Sequence, residues 1–235
     1  MITLAIDSSG PICAAAIHRL ADDIILSEIS EDIGRGHAER LMDVITATLD
    51  GTDLDYSSIS KIAVAAGPGS FTGIRVGLAT ARGLALGLSV PALGVNTLKA
   101  HWYAAGGSNG LVVADARRDE AYCQFFVEDD EISLEADHSM PSGPFLMGYG
   151  ELSEMIAAAP RENLTICGSG SGELNLRLSK LGCEKLTVGH KMAVPPISVI
   201  ARIGAAMEYD GSSPEPIYLR GADAKPQTGF ALERS

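Results

Sequence analysis

The segment Gly67 to Gly87, GPGSFTGIRVGLATARGLALG, constrains the fold of this chain more than any other. A glycine-rich turn follows the apolar run Ile62 to Ala66 and leads into a long stretch of helix formers interrupted by glycine. In a helix Gly73, Gly77, Ala81 and Ala85 recur every fourth residue on one face, which Thr80, Gly83 and Gly87 widen. Each glycine inside a helix costs roughly 1 kcal/mol against alanine, so the pattern calls for a compensating close approach of another backbone. The turn offers a second use, because free N–H groups at a helix start hold anions. A ligand loop and a docking surface are therefore both open.

With 235 residues the chain can form one large domain or two small ones. Its formal charge of −12 argues against a protein that grips nucleic acid unaided, because phosphate contacts need a basic patch and its Lys and Arg are scattered. Arg117 and Arg118 form the one local pair of note. Cys13, Cys123, Cys167 and Cys183 stand at none of the spacings of a zinc site or disulfide framework, so reduced thiols and a cytoplasmic setting are expected. Asp7 interrupts the first apolar run and no basic region precedes it, so no secretory leader is expected. Ile74 to Leu93 is apolar enough to raise the question of a membrane span, but Arg75 and Arg82 inside it are costly in lipid.

The first residues read as strand, turn, strand: Leu4 to Ile6, then Asp7-Ser8-Ser9-Gly10-Pro11, then Ile12 to Ile17. Asp22-Asp23 turns again before Ile24 to Ile29. A helix is expected from His37, with Ala38, Leu41, Met42, Ile45 and Leu49 on one stripe. After the glycine-studded helix, Pro91 precedes a short buried strand, Ala92 to Val95. The order then repeats. Leu111 to Ala114, a turn at Asp115 to Asp119, a strand at Ala121 to Val127 and a turn at Asp129-Asp130 before Ile132 echo the start of the chain. Leu164 to Cys167 running into Gly168-Ser169-Gly170 echoes Ile62 to Gly69. Two echoes in the same order, each about a hundred residues on, indicate two lobes built on one plan. The run Gly106-Gly107-Ser108-Asn109-Gly110 reads as the linker, giving lobes 1–106 and 107–235, the second ending in a polar tail from Gln227.

Chemical motifs are sparse. Gly67, Gly69 and Gly73 lack dinucleotide-fold spacing, and no Lys-Ser or Lys-Thr follows as a P-loop requires. Asp7 with Ser8 and Ser9 either positions a metal-bound phosphate or caps a hairpin turn. His18, His37, His101, His138 and His190 are isolated from one another and read as surface or capping residues, His101 as the residue that follows a strand. No serine or cysteine sits in a nucleophile motif.

Taken together, LAIDSSGPICAAAI, GHAERLMDVI, VAAGPGSFTGIRVGLATARGLALG, ADARRDEAY and EPIYLR resemble the TsaB (YeaZ) family over nearly the whole chain. That resemblance implies an α/β fold of two actin-like (ASKHA, ribonuclease H-like) lobes, each a mixed sheet with flanking helices. The family is a paralogue of the catalytic TsaD, which carries a His-x-x-x-His metal pair and an acidic turn after its first strand. Here the corresponding positions are Thr97 with His101 and Gly10-Pro11-Ile12. The resemblance thus implies a non-catalytic subunit, with no metal and no cofactor, of the machinery that makes tRNA N6-threonylcarbamoyladenosine. Implied partners are a TsaD-like catalytic paralogue, a TsaE-like ATPase and a second copy when the chain is alone, with tRNA met only through the complex. The implied interface is His37, Arg40, Leu41, Ile45, Gly73, Arg75, Gly77, Thr80, Ala81 and Leu84. A vestigial nucleotide site would lie at Asp7, Ser8, Ser9, Gly67 and Gly69. A stand-alone nucleotide-binding enzyme of the ASKHA type is the alternative, and a metallopeptidase is disfavoured by the broken histidine pair.

Overall fold

A computed structural model describes residues 1–107, 109–126, 141, 143–158, 164–183 and 187–220. Strand β1 (Ile2–Asp7) pairs antiparallel with β2 (Ile12–Arg19), and β2 with β3 (Ile24–Asp32). Helix α1 (His37–Asp50) leads to β4 (Lys61–Gly67), which lies parallel to β1. Helix α2 (Phe71–Leu88) then returns the chain to β5 (Ala92–Asn96), parallel to β4, and the sheet order is β3-β2-β1-β4-β5.

Side-chain alternation in this sheet sorts residues by size. On one face Leu4, Ile6, Ile17, Ile62 and Val64 meet Leu41, Val44 and Ile45 of α1 and Ile74 and Leu78 of α2. The other face is paved with Ala5, Ala14, Ala16, Ala63 and Ala65. Small residues there let a helix approach closely. That helix is α6 (Ile197–Ala206), which seats Ile197, Ile200 and Ala201 on the alanines. A Cβ at Gly204 would overlap the Cβ of Ala63. The α6 C-terminus is capped by buried Lys61, whose Nζ donates to the carbonyls of Ala205 (3.0 Å) and Met207 (2.6 Å), a cation placed where the helix dipole favours it.

The second half repeats the plan. Strands β6 (Gly110–Asp115), β7 (Glu120–Phe126) and β8 (Phe145–Gly148) are followed by α4 (Tyr149–Ala158), β9 (Thr165–Cys167), α5 (Ser171–Lys180) and β10 (Thr187–Val188). Their order β8-β7-β6-β9-β10 matches the first sheet strand for strand. Details repeat as well. Asp7 and Asp115 each accept, through Oδ1, the N–H two residues on, at 2.7 Å from Ser9 and 3.0 Å from Arg117. Gly67 and Gly168, which close the equivalent strands, both have positive φ, 103° and 97°.

Between the sheets lies α3 (Thr97–Ala104), capped by the Asn96 side chain, which accepts from the N–H groups of Leu98 and Lys99. Its Leu98 and Trp102 share a core with Val112, Phe126 and Cys167 of the second sheet. His101 lies inside this helix, not after a strand. The chain passes from one sheet to the other between Asn96 and Gly110, while α6 lies back against the first sheet. The expected turn and strand start at 129–132 and the tail 227–235 fall outside the described residues. Among those residues no helix is long and apolar enough to cross a membrane.

Candidate functional site: the glycine turn and the outer face of α1 and α2

The turn after β4 is built by mutual contact with the turn after β1. The Ser70 N–H donates to the Ser9 carbonyl (2.7 Å), and the Ser8 hydroxyl donates to the Gly73 carbonyl (2.8 Å). Ser70 caps α2 by accepting from the N–H of Gly73 (3.3 Å). Thr97 donates to the Pro68 carbonyl (2.7 Å), so its hydroxyl ties α3 to the turn. The glycines here are spacers between backbones: a Cβ at Gly69 would overlap the Ser9 carbonyl oxygen, and one at Gly73 the Ser8 carbonyl oxygen. Asp7, Ser8, Ser9, Gly67 and Gly69 lie together where the turns after β1 and β4 meet.

This point is filled from within. A Cβ at Gly10 would overlap Val194 Cγ1, and one at Gly67 would lie 3.0 Å from the Ile217 carbonyl. Asp7 is 1% exposed. Among the described residues its Oδ2 has no hydrogen-bond partner, and burial pushes the carboxyl above the usual carboxylate range despite the Ser9 bonds and the nearby His37.

Two of the expected histidine roles need correction, and His138 lies outside the described residues. His18 and His101 are buried, at 1% and 2% exposure. His18 Nε2 meets Asp23 at 2.8 Å. His101 stacks on His190 from the second half (ring centroids 5.4 Å), and His190 Nε2 donates to the His101 carbonyl (2.8 Å). Burial, and secondarily His190, hold the His101 imidazole down to about 3. One observation explains the miss: His190 reaches His101 only through the tertiary fold, some ninety residues on.

The interface assignment also divides. Leu41 (1% exposed), Ile45 (0%) and Ala81 (0%) are core residues, and Gly73 and Gly77 are buried against Ser8 and Val64. The face defined by Gly73, Gly77 and Ala81 therefore receives the protein's own first sheet. Thr80 and Leu84 are half-buried beside it. The stripe on α1 is rotated likewise: Val44 and Thr48 are buried, whereas Ala38 and Met42 face out. His37 is half-buried at the start of α1. Arg40 is exposed and held by both oxygens of Glu31 (2.8 Å each) and by Asp43 (3.2 Å). Arg75 is exposed, with its guanidinium 3.9 Å above the Phe71 ring.

What faces solvent on α2 is Phe71, Thr72, Ala79, Gly83, Leu86 and Gly87 with the two arginines. Leu86 is 84% exposed, and Met42 on the adjoining α1 is 44% exposed. Apart from the helix's own backbone, no described residue comes within 4 Å of a Cβ built at Gly83 or Gly87. These outer residues were in the helical pattern all along, offset by two to three positions from the inner face. Periodicity alone did not say which small face turned inward.

Comparison with known proteins fits this architecture. Residues 24–165 match the family described as TsaD: tRNA N6-adenosine threonylcarbamoyltransferase. An uncharacterized protein of Mycobacterium bovis is 31% identical over 227 residues, covering 95% of this chain and 93% of the relative. The tRNA threonylcarbamoyladenosine biosynthesis protein TsaB of Escherichia coli is 34% identical over 134 residues, covering 55% of this chain and 57% of that one. Among solved structures, YeaZ from Pseudomonas aeruginosa superposes with a TM-score of 0.63 at 20% identity, over 87% of this chain and 90% of that one. The duplicated five-stranded sheets, the turn packed between them and these likenesses converge: the chain belongs to the TsaB (YeaZ) family, within the sequences that the TsaD family description covers.

Proposed function

We propose that this chain is a docking subunit in the biosynthesis of tRNA N6-threonylcarbamoyladenosine and carries out no chemistry of its own. It binds a TsaD-like catalytic paralogue through the outer faces of α1 and α2, helps recruit a TsaE-like ATPase, and meets tRNA through that complex. Alone, the same face serves a second copy. Membership in the TsaB family supports the pathway. The observation that carries the docking role is the split character of α2. Its inner glycines are consumed by the protein's own sheet, yet Ala79, Gly83, Leu86 and Gly87 remain small or apolar and open to solvent. Glycine at an exposed helix position weakens the helix unless something packs there, and small residues let a second helix approach closely. The packed turn supports the non-catalytic part, because Val194, Ser9 and Ile217 occupy the space around Gly10, Gly69 and Gly67.

The test is co-elution with the purified catalytic paralogue. Gly83→Arg and Leu86→Asp are expected to abolish the complex while leaving the folded monomer intact. Unchanged co-elution of both variants would overturn the docking face. Reconstituted tRNA modification that proceeds equally well without this chain would overturn the role itself.

A further inference from the structure

Residues 214–220 lie across the first sheet as an extended strap. The guanidinium of Arg82 donates to the Pro214 carbonyl, and the N–H of Ile217 donates to the Ala66 carbonyl near the end of β4 (2.8 Å). Tyr218 places its ring 5.1 Å from Phe71 and accepts from Arg75 Nε through its hydroxyl (3.0 Å), both in the first turns of α2. Two glycines make room for it. A Cβ at Gly67 would sit 2.8 Å from Ile74 and 3.0 Å from the Ile217 carbonyl, and one at Gly94 of β5 would sit 3.3 Å from the Cβ of Pro214. Arg220 then pairs with Glu120, the first residue of β7 in the other sheet. The strap thus covers the carboxyl ends of parallel strands, where open α/β sheets take their ligands, and reaches the opposite lobe at Arg220.

We propose that Pro214–Arg220 is a conformational clamp. It closes that crevice with the chain's own backbone and joins the first turn of α2 to the β6–β7 hairpin, so that the two sheets move as one body. Other ties cross the same boundary. Asn96 Nδ2 donates to Gln124 Oε1 (2.9 Å), and the Trp102 and Phe126 rings stack at 4.9 Å. The ring pair is packed into the interlobe core, and the amide pair is part-buried. The Arg220 and Glu120 side chains are 23% and 37% exposed, so water can replace their pairing at small cost. The clamp is a tie that can open.

Hydrogen exchange read by mass spectrometry on the full chain tests this without any partner, so its failure leaves the docking face untouched. Arg220→Glu and Glu120→Arg, each alone, are expected to speed exchange roughly three- to tenfold at both 71–75 and 116–120, with β1 and β6 still protected. The double charge swap is expected to restore protection at both segments. Faster exchange confined to 214–220, or no restoration in the double variant, overturns the clamp. Should either charge reversal expose β1 as well, Arg220→Gln must show the same two-segment pattern, and its absence there overturns the proposal equally.

Discussion

Replacing Gly73 and Gly83 by alanine, each alone, asks whether the two faces of α2 have been told apart. At Gly73 the new methyl would overlap the Ser8 carbonyl oxygen and lie 3.0 Å from its carbon. Both are backbone atoms, which cannot swing aside as a side chain would. The helix must shift off the end of β1, straining the bond from the Ser8 hydroxyl to the Gly73 carbonyl (2.8 Å). Overpacking of this kind costs about 1–3 kcal/mol, and the weakened buried hydrogen bond adds about 1 kcal/mol. The better helix propensity of alanine returns roughly 1 kcal/mol, leaving a net loss of about 1–3 kcal/mol. At Gly83 no described residue outside the helix's own backbone comes within 4 Å of the new methyl. Only the propensity gain remains, about 0.5–1 kcal/mol. The two variants should therefore straddle the unmodified protein, separated by about 2–4 kcal/mol, or on the order of 5–15 °C in thermal midpoint for a chain of this size. Trp102, buried between the sheets, supplies the fluorescence signal for urea titrations. Equal midpoints for the two variants, or a Gly73→Ala protein more stable than Gly83→Ala, would refute the inner and outer assignment.

Two pH-linked predictions come from buried groups. His101 is held down to about 3 by burial and His190, so the unfolded chain takes up this proton first as pH falls below about 6.5. Stability should therefore decline between about pH 6.5 and 3, by up to about 1.4 kcal/mol per pH unit. His101→Phe keeps the stack on His190 and should flatten that part of the slope in denaturation series from pH 7 to 4.5; an unchanged slope would count against it. Asp7 has the opposite sign. Its carboxyl is raised by burial, so the folded state holds that proton more tightly and stability is lost as pH rises above the ordinary carboxylate range. Asp7→Asn keeps an acceptor for the Ser9 N–H and should be more stable than the parent at pH 7, with the gap closing toward pH 4. A destabilised asparagine variant at neutral pH would show that the charge is wanted there.

Much of the fold was written in local pattern. The paired strands around Asp7 and Asp115, the start of α1 at His37 and the full span of α2 follow from turn residues and from apolar spacing. The repeat was legible because equivalent strands lead into the same residue types, Asp7 matched by Asp115 at the strand ends and Gly67 by Gly168 at the turns. Helix α3 was missed, since Thr97 to Ala104 carries little amphipathic pattern and is covered by both sheets. Helix α6 had left a trace in the alternating alanines Ala5, Ala14, Ala16, Ala63 and Ala65, which mark a sheet face awaiting a closely packed helix.

Sequence by itself determined that the helix after Gly67 would carry small residues around most of its circumference, because glycine and alanine spacing is a property of the chain. Which of those faces meets the protein's own backbone was decided by the tertiary structure. Ser8 stands opposite Gly73 and Gly77 only after β1 and β4 have paired, and the strap reaches Gly67 only after the chain has returned from the second sheet. A helical period repeats all the way round the axis and carries no marker of inside. Burial supplies that marker, and it leaves Ala79, Gly83 and Gly87 as the small residues still open to solvent on α2.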